Sequence, residues 1–387
     1  MAKKSISRDS HNVASALLPA GFADVLPPTA EIEAAAVETL IAEFRRYGYA
    51  RVKPPLIEFE TDLLAGTGAT MAEQTFRLMD PVSQRMMGVR ADITVQVARI
   101  ATTRLTKMPR PLRLSYAGQV LRVRGTQLRP ERQFTQVGAE LVGVDTALAD
   151  AEIIILSASS LQRLGIKNLS VDLALPGLAS LIVNTKGVPE NLQQALDRRD
   201  ARAAARLAGP AGKSLAALIK ACGPIAPAMK VLDRVGLPKQ CRALVTRLHS
   251  VVVNLSKALP ELVVTVDFVE QRGFAYEQGI AFTLFARGVR GELGRGGDYV
   301  ISSAEGAAQE AACGVTLYMD SILRGLPQSL FSKRLFAPCT TDPQRLAALR
   351  QEGWIVIMGL SKVKSDTAEA RRLNCTHVLI KNKPQLL

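Results

Sequence analysis

The chain contains few of the residues that build metal sites and disulfide frameworks. Its 387 residues include three histidines and five cysteines, and no two cysteines form a CxxC pair. An odd, scattered set of cysteines argues against structural disulfides, and three widely separated histidines argue against a His/Cys metal site. We therefore expect reduced thiols, no bound metal and no cofactor.

Long apolar runs are also lacking. No stretch reaches the roughly 20 apolar residues that a membrane-spanning helix needs. The first ten residues, MAKKSISRDS, lack the apolar core of a signal peptide. Together with the reduced thiols, these absences predict a cytoplasmic protein that does not contact membranes. We interpret residues 1–19 as a flexible tail.

Aromatic residues are scarce, at 5% of the chain, whereas basic residues give a net charge of +14. Basic charge is typical of proteins that bind nucleic acids, phosphorylated ligands or acidic partners, and it also produces an ordinary solubilising surface. No stacking-aromatic motif for nucleic acid accompanies the charge. The hydrophobic fraction of 48% supports a large core, and the length predicts two or three domains.

The spacing of apolar residues predicts a long helix near the N-terminus. Ile32, Ala36, Leu40 and Phe44 recur every four residues. Thr29 precedes them and is a candidate N-cap.

Three later segments have recognisable patterns. Residues 187–260 are rich in Ala, Leu and Arg and predict a helical insertion. We expect a further helix over residues 304–323. Residues 334–387 alternate strand and helix, and this βαβαβ order predicts a small, mostly parallel sheet.

Two predicted strands, over residues 112–122 and 132–142, are joined by a polar loop. Alternation places Gln136, Gly138 and Glu140 on one face of the second strand, opposite an apolar face. An amide and a carboxylate on either side of a glycine could form the floor of a pocket for a small polar ligand. A solvent-facing sheet that carries these residues incidentally is an equal alternative.

Three further residues are candidates for ligand contacts. Arg122 ends the first strand, where its guanidinium suits a carboxylate or a phosphate, or an ion pair with Glu140 or Glu131. Asp92 could bind an ammonium group, or it could cap the helix that we expect after it. Thr94 lies two residues further on.

Five ordered segments resemble the class II aminoacyl-tRNA synthetases, in the histidyl-tRNA synthetase branch, and most closely the family of ATP phosphoribosyltransferase regulatory subunits. Residues 21–27 (GFADVLP) and 29–55 resemble motif 1, and residues 121–140 resemble the strand–loop–strand of motif 2. Residues 89–94 (VRADIT) and 271–276 (QRGFAY) resemble the two histidine-specific segments.

The resemblance implies an α+β fold with an antiparallel sheet, flanking helices, a helical insertion and a small C-terminal α/β domain. It implies a synthetase-like domain over residues 20–330 and the small domain over residues 334–387. It also implies a homodimer formed through motif 1.

The resemblance implies a pocket for L-histidine. Asp92 stands where a glutamate of the family holds the ligand's ammonium group, and Arg122 matches an arginine that contacts its carboxylate and ATP. The residues with implied contacts to histidine are Asp92, Thr94, Arg122, Gln136, Glu140, Arg272 and Tyr276. Glu277 replaces the second tyrosine of a family pair.

The departures from the synthetase pattern predict a protein without catalytic activity. Arg124 replaces a motif 2 glutamate, and Leu317 stands where we expect the ATP-binding arginine of motif 3. Because adenylation depends on positioned charges around the phosphates, both changes should impair it. The C-terminal piece is also shorter than a typical domain, which argues against tRNA binding.

The implied function is a non-catalytic regulatory subunit. In this family, such a subunit joins the short-form catalytic subunit of ATP phosphoribosyltransferase in a hetero-oligomer, is required for its activity and mediates feedback by histidine on the first step of histidine biosynthesis. A working histidyl-tRNA synthetase and a non-catalytic tRNA-binding relative are the alternatives.

Overall fold

The computed structural model describes residues 18–127, 129–185, 187–270, 277–302, 309–326 and 333–387. The chain divides into two compact units, which are Met1–Leu326 and Pro327–Leu387. Among the described residues, no helix combines the length and the apolar character that crossing a membrane would require.

The described helices and strands are distributed over both units. The helices are α1 Thr29–Arg46, α2 Glu60–Leu63, α3 Thr94–Thr103, α4 Ala147–Arg163, α5 Leu178–Val183, α6 Glu190–Asp197, α7 Ala201–Leu207, α8 Gly212–Ala221, α9 Ile225–Leu232, α10 Arg242–Ala258, α11 Met319–Gly325, α12 Pro343–Gln351 and α13 Asp366–Arg372. Short 3-10 helices span Gly66–Gln74, Gly209–Ala211 and Lys239–Cys241. The strands are β1 Ala50–Arg51, β2 Ile57–Phe59, β3 Phe76–Met79, β4 Met86–Val89, β5 Leu112–Leu121, β6 Gln133–Val142, β7 Leu169–Ala174, β8 Gly223–Pro224, β9 Val263–Asp267, β10 Glu277–Ala286, β11 Gly294–Ser302, β12 Gln309–Tyr318, β13 Arg334–Ala337, β14 Ile355–Met358, β15 His377–Ile380 and β16 Lys383–Leu386.

The first unit is built on a nine-stranded sheet in the order β1-β5-β6-β12-β11-β10-β7-β9-β8. From β5 to β7 all neighbours are antiparallel, whereas β1 pairs in parallel with β5, and β9 in parallel with β7. A separate three-stranded sheet has the order β2-β4-β3. The expected α+β fold with a largely antiparallel sheet is confirmed, and helices α6 to α10 occupy the predicted insertion.

Helices cover both faces of the large sheet. Leu40 of α1, Ile154 of α4 and Leu248 of α10 belong to the larger core on one face. Val97 of α3 belongs to a second core on the other face, together with Tyr116 of β5. Because both faces are covered, a polar side chain on the central strands is withdrawn from water and needs a protein partner.

The second unit contains a four-stranded sheet in the order β14-β13-β15-β16. Strands β14 and β15 are parallel to β13, and β16 returns antiparallel to β15. The side chains of Asp342 and Ser365 cap the starts of α12 and α13. The predicted βαβαβ order is confirmed, with one additional strand at the C-terminus.

Two local expectations are wrong. Residues 309–318 form strand β12 rather than a helix, and α11 begins only at Met319. Since β12 lies between β6 and β11 in a sheet that is covered on both faces, its sequence lacks the alternation that identifies a strand. Thr29 is the first residue of α1 rather than its cap, and Pro28 takes the cap position without a side-chain hydrogen bond.

Substitution of Ile154 tests whether the core on the α4 side of the sheet is assigned correctly, because the Ile154 side chain is fully buried. We expect Ile154→Ala to lower the free energy of unfolding by about 2–5 kcal/mol, since the truncation leaves a cavity. Leu148→Ala is the matched control on the same helix, because Leu148 is 67% exposed. Urea denaturation followed by circular dichroism measures both, and equal losses in the two variants would contradict this assignment of the core.

Candidate functional site

The register of the central strands brings the predicted pocket residues onto the face that α3 covers. Gly138 of β6 pairs with Tyr116 of β5 on one side and with Thr316 of β12 on the other. Glu140 pairs with Gly314 of β12. Directly paired residues point to the same face of a sheet. These residues therefore lie side by side beneath α3.

Two glycines make room for the larger residues of this row. A Cβ atom at Gly138 would overlap the phenol of Tyr116, and a Cβ atom at Gly314 would overlap the carboxylate of Glu140. The space beside Gly138, which the sequence indicates as room for a ligand, therefore holds the Tyr116 ring. A side chain at either glycine would displace a buried polar group.

Asp92 joins the start of α3 to strand β6. Its Oδ1 accepts a hydrogen bond from the backbone N–H of Thr94 at 2.8 Å, and its Oδ2 accepts one from Nε2 of Gln136 at 2.9 Å. The Oε1 of Gln136 accepts the N–H of Ile93 at 3.1 Å, which closes a ring of hydrogen bonds. The expectation that Asp92 is the N-cap is wrong, because Ile93 takes that position and Asp92 bonds the first N–H of the helix from one residue earlier. Binding of an ammonium group by Asp92 stays a prediction.

Glu140 lies within a group of hydroxyls. Tyr299 donates to its Oε2 at 2.8 Å, and the Tyr116 hydroxyl lies 3.3 Å from its Oε1. The same Tyr116 hydroxyl lies 2.9 Å from Oγ1 of Thr316 and 3.1 Å from Oγ1 of Thr94. Glu140 is buried, so the alternative of a solvent-facing sheet is wrong.

Burial governs the ionisation of this group. Loss of solvent raises the pKa of Glu140 to about 8, although the hydrogen bonds from Tyr299 and Thr94 act in the opposite direction. Burial, followed by the charges of Glu140 and Asp92, also raises the pKa of Tyr116 well above its ordinary value. Near neutral pH, Glu140 therefore mostly retains its proton, and it can both donate and accept a hydrogen bond.

Arg122 directly follows β5, and its side chain lies beside the same group of polar residues. Its Nε donates to the carbonyl oxygen of Ala91 at 3.3 Å, and its Nη2 lies 4.0 Å from Oδ2 of Asp92. The partner expected from spacing is different, since Glu131 lies 3.6 Å from Arg324 and Glu140 contacts the tyrosines. A guanidinium beside a carboxylate and an amide can hold the two charged ends of an amino acid.

The structure brings five of the predicted residues into one connected group. We refer to these residues as the polar cluster; they are Asp92, Thr94, Arg122, Gln136 and Glu140. Arg272 and Tyr276 lie outside the described residues. Sequence reasoning missed Tyr116, Tyr299 and Thr316, because only the pairing register places them beside Glu140.

The two residues that distinguish this chain from the synthetase pattern have different surroundings. Leu317 is buried in the core on the opposite face of the sheet. An arginine at that position would point away from the polar cluster, so the identity of residue 317 does not affect ligand binding on the face that carries the cluster. Arg124 is exposed and follows β5 closely, with its backbone N–H 3.3 Å from Oε1 of Gln74.

The shifted pKa of Glu140 makes the stability of the chain depend on pH. An unfolded glutamate ionises near its model value of 4.5, whereas folded Glu140 does so at about 8. Its contribution to stability is therefore fully present below the unfolded value and declines as the pH rises towards 8. We expect Glu140→Gln to gain stability relative to the unchanged chain between pH 5 and pH 8, as measured by urea denaturation.

Glu152→Gln is the control for this pH dependence. The hydrogen bond from Arg113 lowers the pKa of Glu152, so its contribution is lost only when the pH falls below the usual range of a glutamate. Its difference from the unchanged chain should stay constant between pH 5 and pH 8. A similarly constant difference for Glu140→Gln would contradict the burial of an ionisable Glu140.

The chain is similar to known proteins in sequence and in fold. The family model described as histidyl-tRNA synthetase matches residues 21–322. An ATP phosphoribosyltransferase regulatory subunit of Rhodospirillum centenum is 52% identical over 94% of both chains, and one of Gluconobacter oxydans is 44% identical over 95% of this chain and 97% of its own. The solved structure of an ATP phosphoribosyltransferase regulatory subunit/histidyl-tRNA synthetase from Bacillus halodurans superposes with a TM-score of 0.74 at 20% identity, covering 92% of this chain and 96% of that one. A histidyl-tRNA synthetase from Nostoc gives a TM-score of 0.76 at 17% identity, over 94% and 91% of the two chains.

Proposed function

Since the chain belongs to the ATP phosphoribosyltransferase regulatory subunits, we propose that it binds a catalytic subunit of that enzyme and controls its activity in histidine biosynthesis. The similarity extends over 94% of the chain, including the second unit. We also propose that the assembly is a hetero-oligomer in the cytoplasm and that the short-form catalytic subunit depends on it. Neither role requires a reaction on the regulatory chain itself.

We propose that the polar cluster binds free L-histidine. Asp92 and Gln136 suit its ammonium group, and the guanidinium of Arg122 suits its carboxylate. Glu140, with Thr94 beside it, suits the imidazole, because a protonatable carboxyl group can donate to or accept from a ring nitrogen. Arg272 and Tyr276, which lie outside the described residues, complete the proposed set.

The observation that carries this proposal is the burial of two carboxyl groups, Asp92 and Glu140, on one face of the sheet beside a guanidinium. A buried carboxyl group is costly unless it is paired, and such groups are more common at functional sites than elsewhere. Because Asp92 and Gln136 already bond each other, histidine must replace that bond with its own ammonium group.

Regulation then follows from linkage. Histidine that binds one conformation of the complex more tightly than another shifts the population towards the first. A tenfold preference corresponds to about 1.4 kcal/mol, which is the order of one or two charge-assisted hydrogen bonds. The polar cluster can supply this difference through the start of α3, because Thr94 and Asp92 connect α3 to the sheet.

We propose that two copies associate through the motif 1 region, which comprises residues 21–27 and 29–55 and includes α1 and β1. Val25 and Leu26, just before α1, are exposed apolar side chains, and contact with a second copy would remove them from water. The dimer would present two polar clusters to the catalytic subunits.

We further propose that the chain does not form an aminoacyl adenylate and does not bind tRNA. Arg124 carries a positive charge where the synthetase pattern has a glutamate, and its side chain is exposed. The second unit, Pro327–Leu387, is shorter than the commonest domain size of about 100–150 residues. A working histidyl-tRNA synthetase or a non-catalytic tRNA-binding relative is the competing function.

The central test is co-purification with a short-form catalytic subunit, followed by activity measured with and without histidine. We expect a stable complex whose activity exceeds that of the catalytic subunit alone and falls with histidine. Gln136→Ala should raise the histidine concentration for half-inhibition about tenfold or more, because a buried hydrogen bond to the ligand is lost.

Gln119→Ala is the matched control, since this amide donates to Thr135 on the opposite face of the same strand pair. It should leave histidine inhibition unchanged. Equal inhibition of the Gln136→Ala complex and the unchanged complex would refute histidine binding at the polar cluster. A failure of the two chains to associate would refute the partner instead.

Adenylation is tested separately by histidine-dependent exchange of pyrophosphate into ATP. We expect exchange no faster than in a reaction without protein, because the charge of Arg124 opposes the arrangement that adenylation needs. An authentic histidyl-tRNA synthetase in the same assay is the positive control. Exchange at an enzymatic rate would favour the synthetase alternative.

A further inference from the structure

Two aromatic rings meet at one end of the sheet, on the face that carries the polar cluster. Phe134 of β6 and Tyr318 of β12 pack edge to face, with ring centroids 6.0 Å apart. The guanidinium of Arg129 lies 3.7 Å from the Tyr318 centroid and 5.2 Å from the Phe134 centroid. We call the space over these two rings the aromatic slot. Arg129 fills it with a planar, charged group from the same chain.

Acidic residues from two other segments hold Arg129 in the slot. Its Nε lies 3.1 Å from Oδ2 of Asp320 in α11, and its Nη1 lies 3.7 Å from Glu292, which precedes β11. The loop carrying Arg129 is closed by Thr126, whose Oγ1 accepts the Arg129 N–H at 3.0 Å. Stacking, charge and a local turn therefore all fix one side-chain position.

This arrangement differs from a surface ion pair in its burial. The Asp320 side chain is 8% exposed and that of Arg129 is 9% exposed. Removing two charges from water costs free energy, which pairing and stacking offset only in good geometry. Arg129 is therefore held in the slot by contacts that would be lost if it moved into solvent.

The slot retains features that suit a ligand. Within the described part of the chain, Oδ1 of Asp320 is buried and has no hydrogen-bond partner, so it can accept from an N–H group. Arg122 lies 5.1 Å from the Phe134 centroid and offers a guanidinium to an anion. Aromatic faces, an acceptor and a cation together match the base and phosphate of a nucleotide.

We propose that Arg129 is an internal occupant of the aromatic slot and excludes adenine nucleosides and nucleotides from it. An attached side chain competes at a high effective concentration, so a free ring must displace stacking and two ion pairs at once. This inference rests on the residues of the slot alone. It would stand if the histidine proposal failed, and its own failure would leave that proposal intact.

The test is isothermal titration calorimetry of the full chain with adenosine and, separately, with ATP. We expect no saturable binding of adenosine to the unchanged chain at millimolar concentration. Arg129→Ala should bind adenosine at least tenfold more tightly, because the rings of Phe134 and Tyr318 are then free to stack. Arg129→Lys should also gain adenosine binding, since it keeps the charge beside Asp320 and Glu292 but loses the planar group.

The lysine variant keeps the test decisive if the alanine variant does not fold. Arg345→Ala, which removes a half-buried arginine paired with Glu352 in the second unit, is the control and should not gain binding. The proposal is overturned if the folded lysine variant binds adenosine no better than the unchanged chain. Saturable adenosine binding by the unchanged chain would overturn it as well.

Discussion

The pair of hydrogen bonds that Asp92 makes to Gln136 and to the start of α3 is the constraint on which the candidate site depends. It attaches the first turn of α3 to strand β6, and so brings Thr94 over Tyr116 and Thr316. Breaking it would leave the carboxylate of Asp92 and the amide nitrogen of Gln136 buried without these hydrogen bonds, and each unsatisfied group costs about 1–3 kcal/mol. The same atoms are therefore needed for the fold and are available for exchange with a ligand.

Strand β6 carries two different chemical environments on one face, near its two ends. Towards Glu140, hydroxyls surround a carboxyl group that retains its proton near neutral pH. Towards Phe134, an aromatic pair is covered by the guanidinium of Arg129. Arg122 lies between them, beside Asp92 on one side and the Phe134 ring on the other. A ligand bound to Arg122 would therefore lie next to both environments.

Leu317 and Arg129 lie in different surroundings relative to the sheet. Leu317 faces the opposite core, so its identity does not affect this face of the sheet. The arginine that occupies the aromatic slot comes instead from the loop between β5 and β6. A change in one loop side chain can therefore close a space without altering the strands that form it.

The sequence by itself determined the helix at Thr29–Arg46, the hairpin of β5 and β6, the α/β order of the second unit and the face that carries Gln136 and Glu140. These depend on periodicity and local alternation, which neighbouring residues encode. Tertiary structure alone decided that residues 309–318 form a strand, that Tyr116 fills the space beside Gly138, and that Arg129 lies over Phe134. Each of these depends on the pairing of segments distant in the sequence, and the register of that pairing is set by packing across the whole sheet.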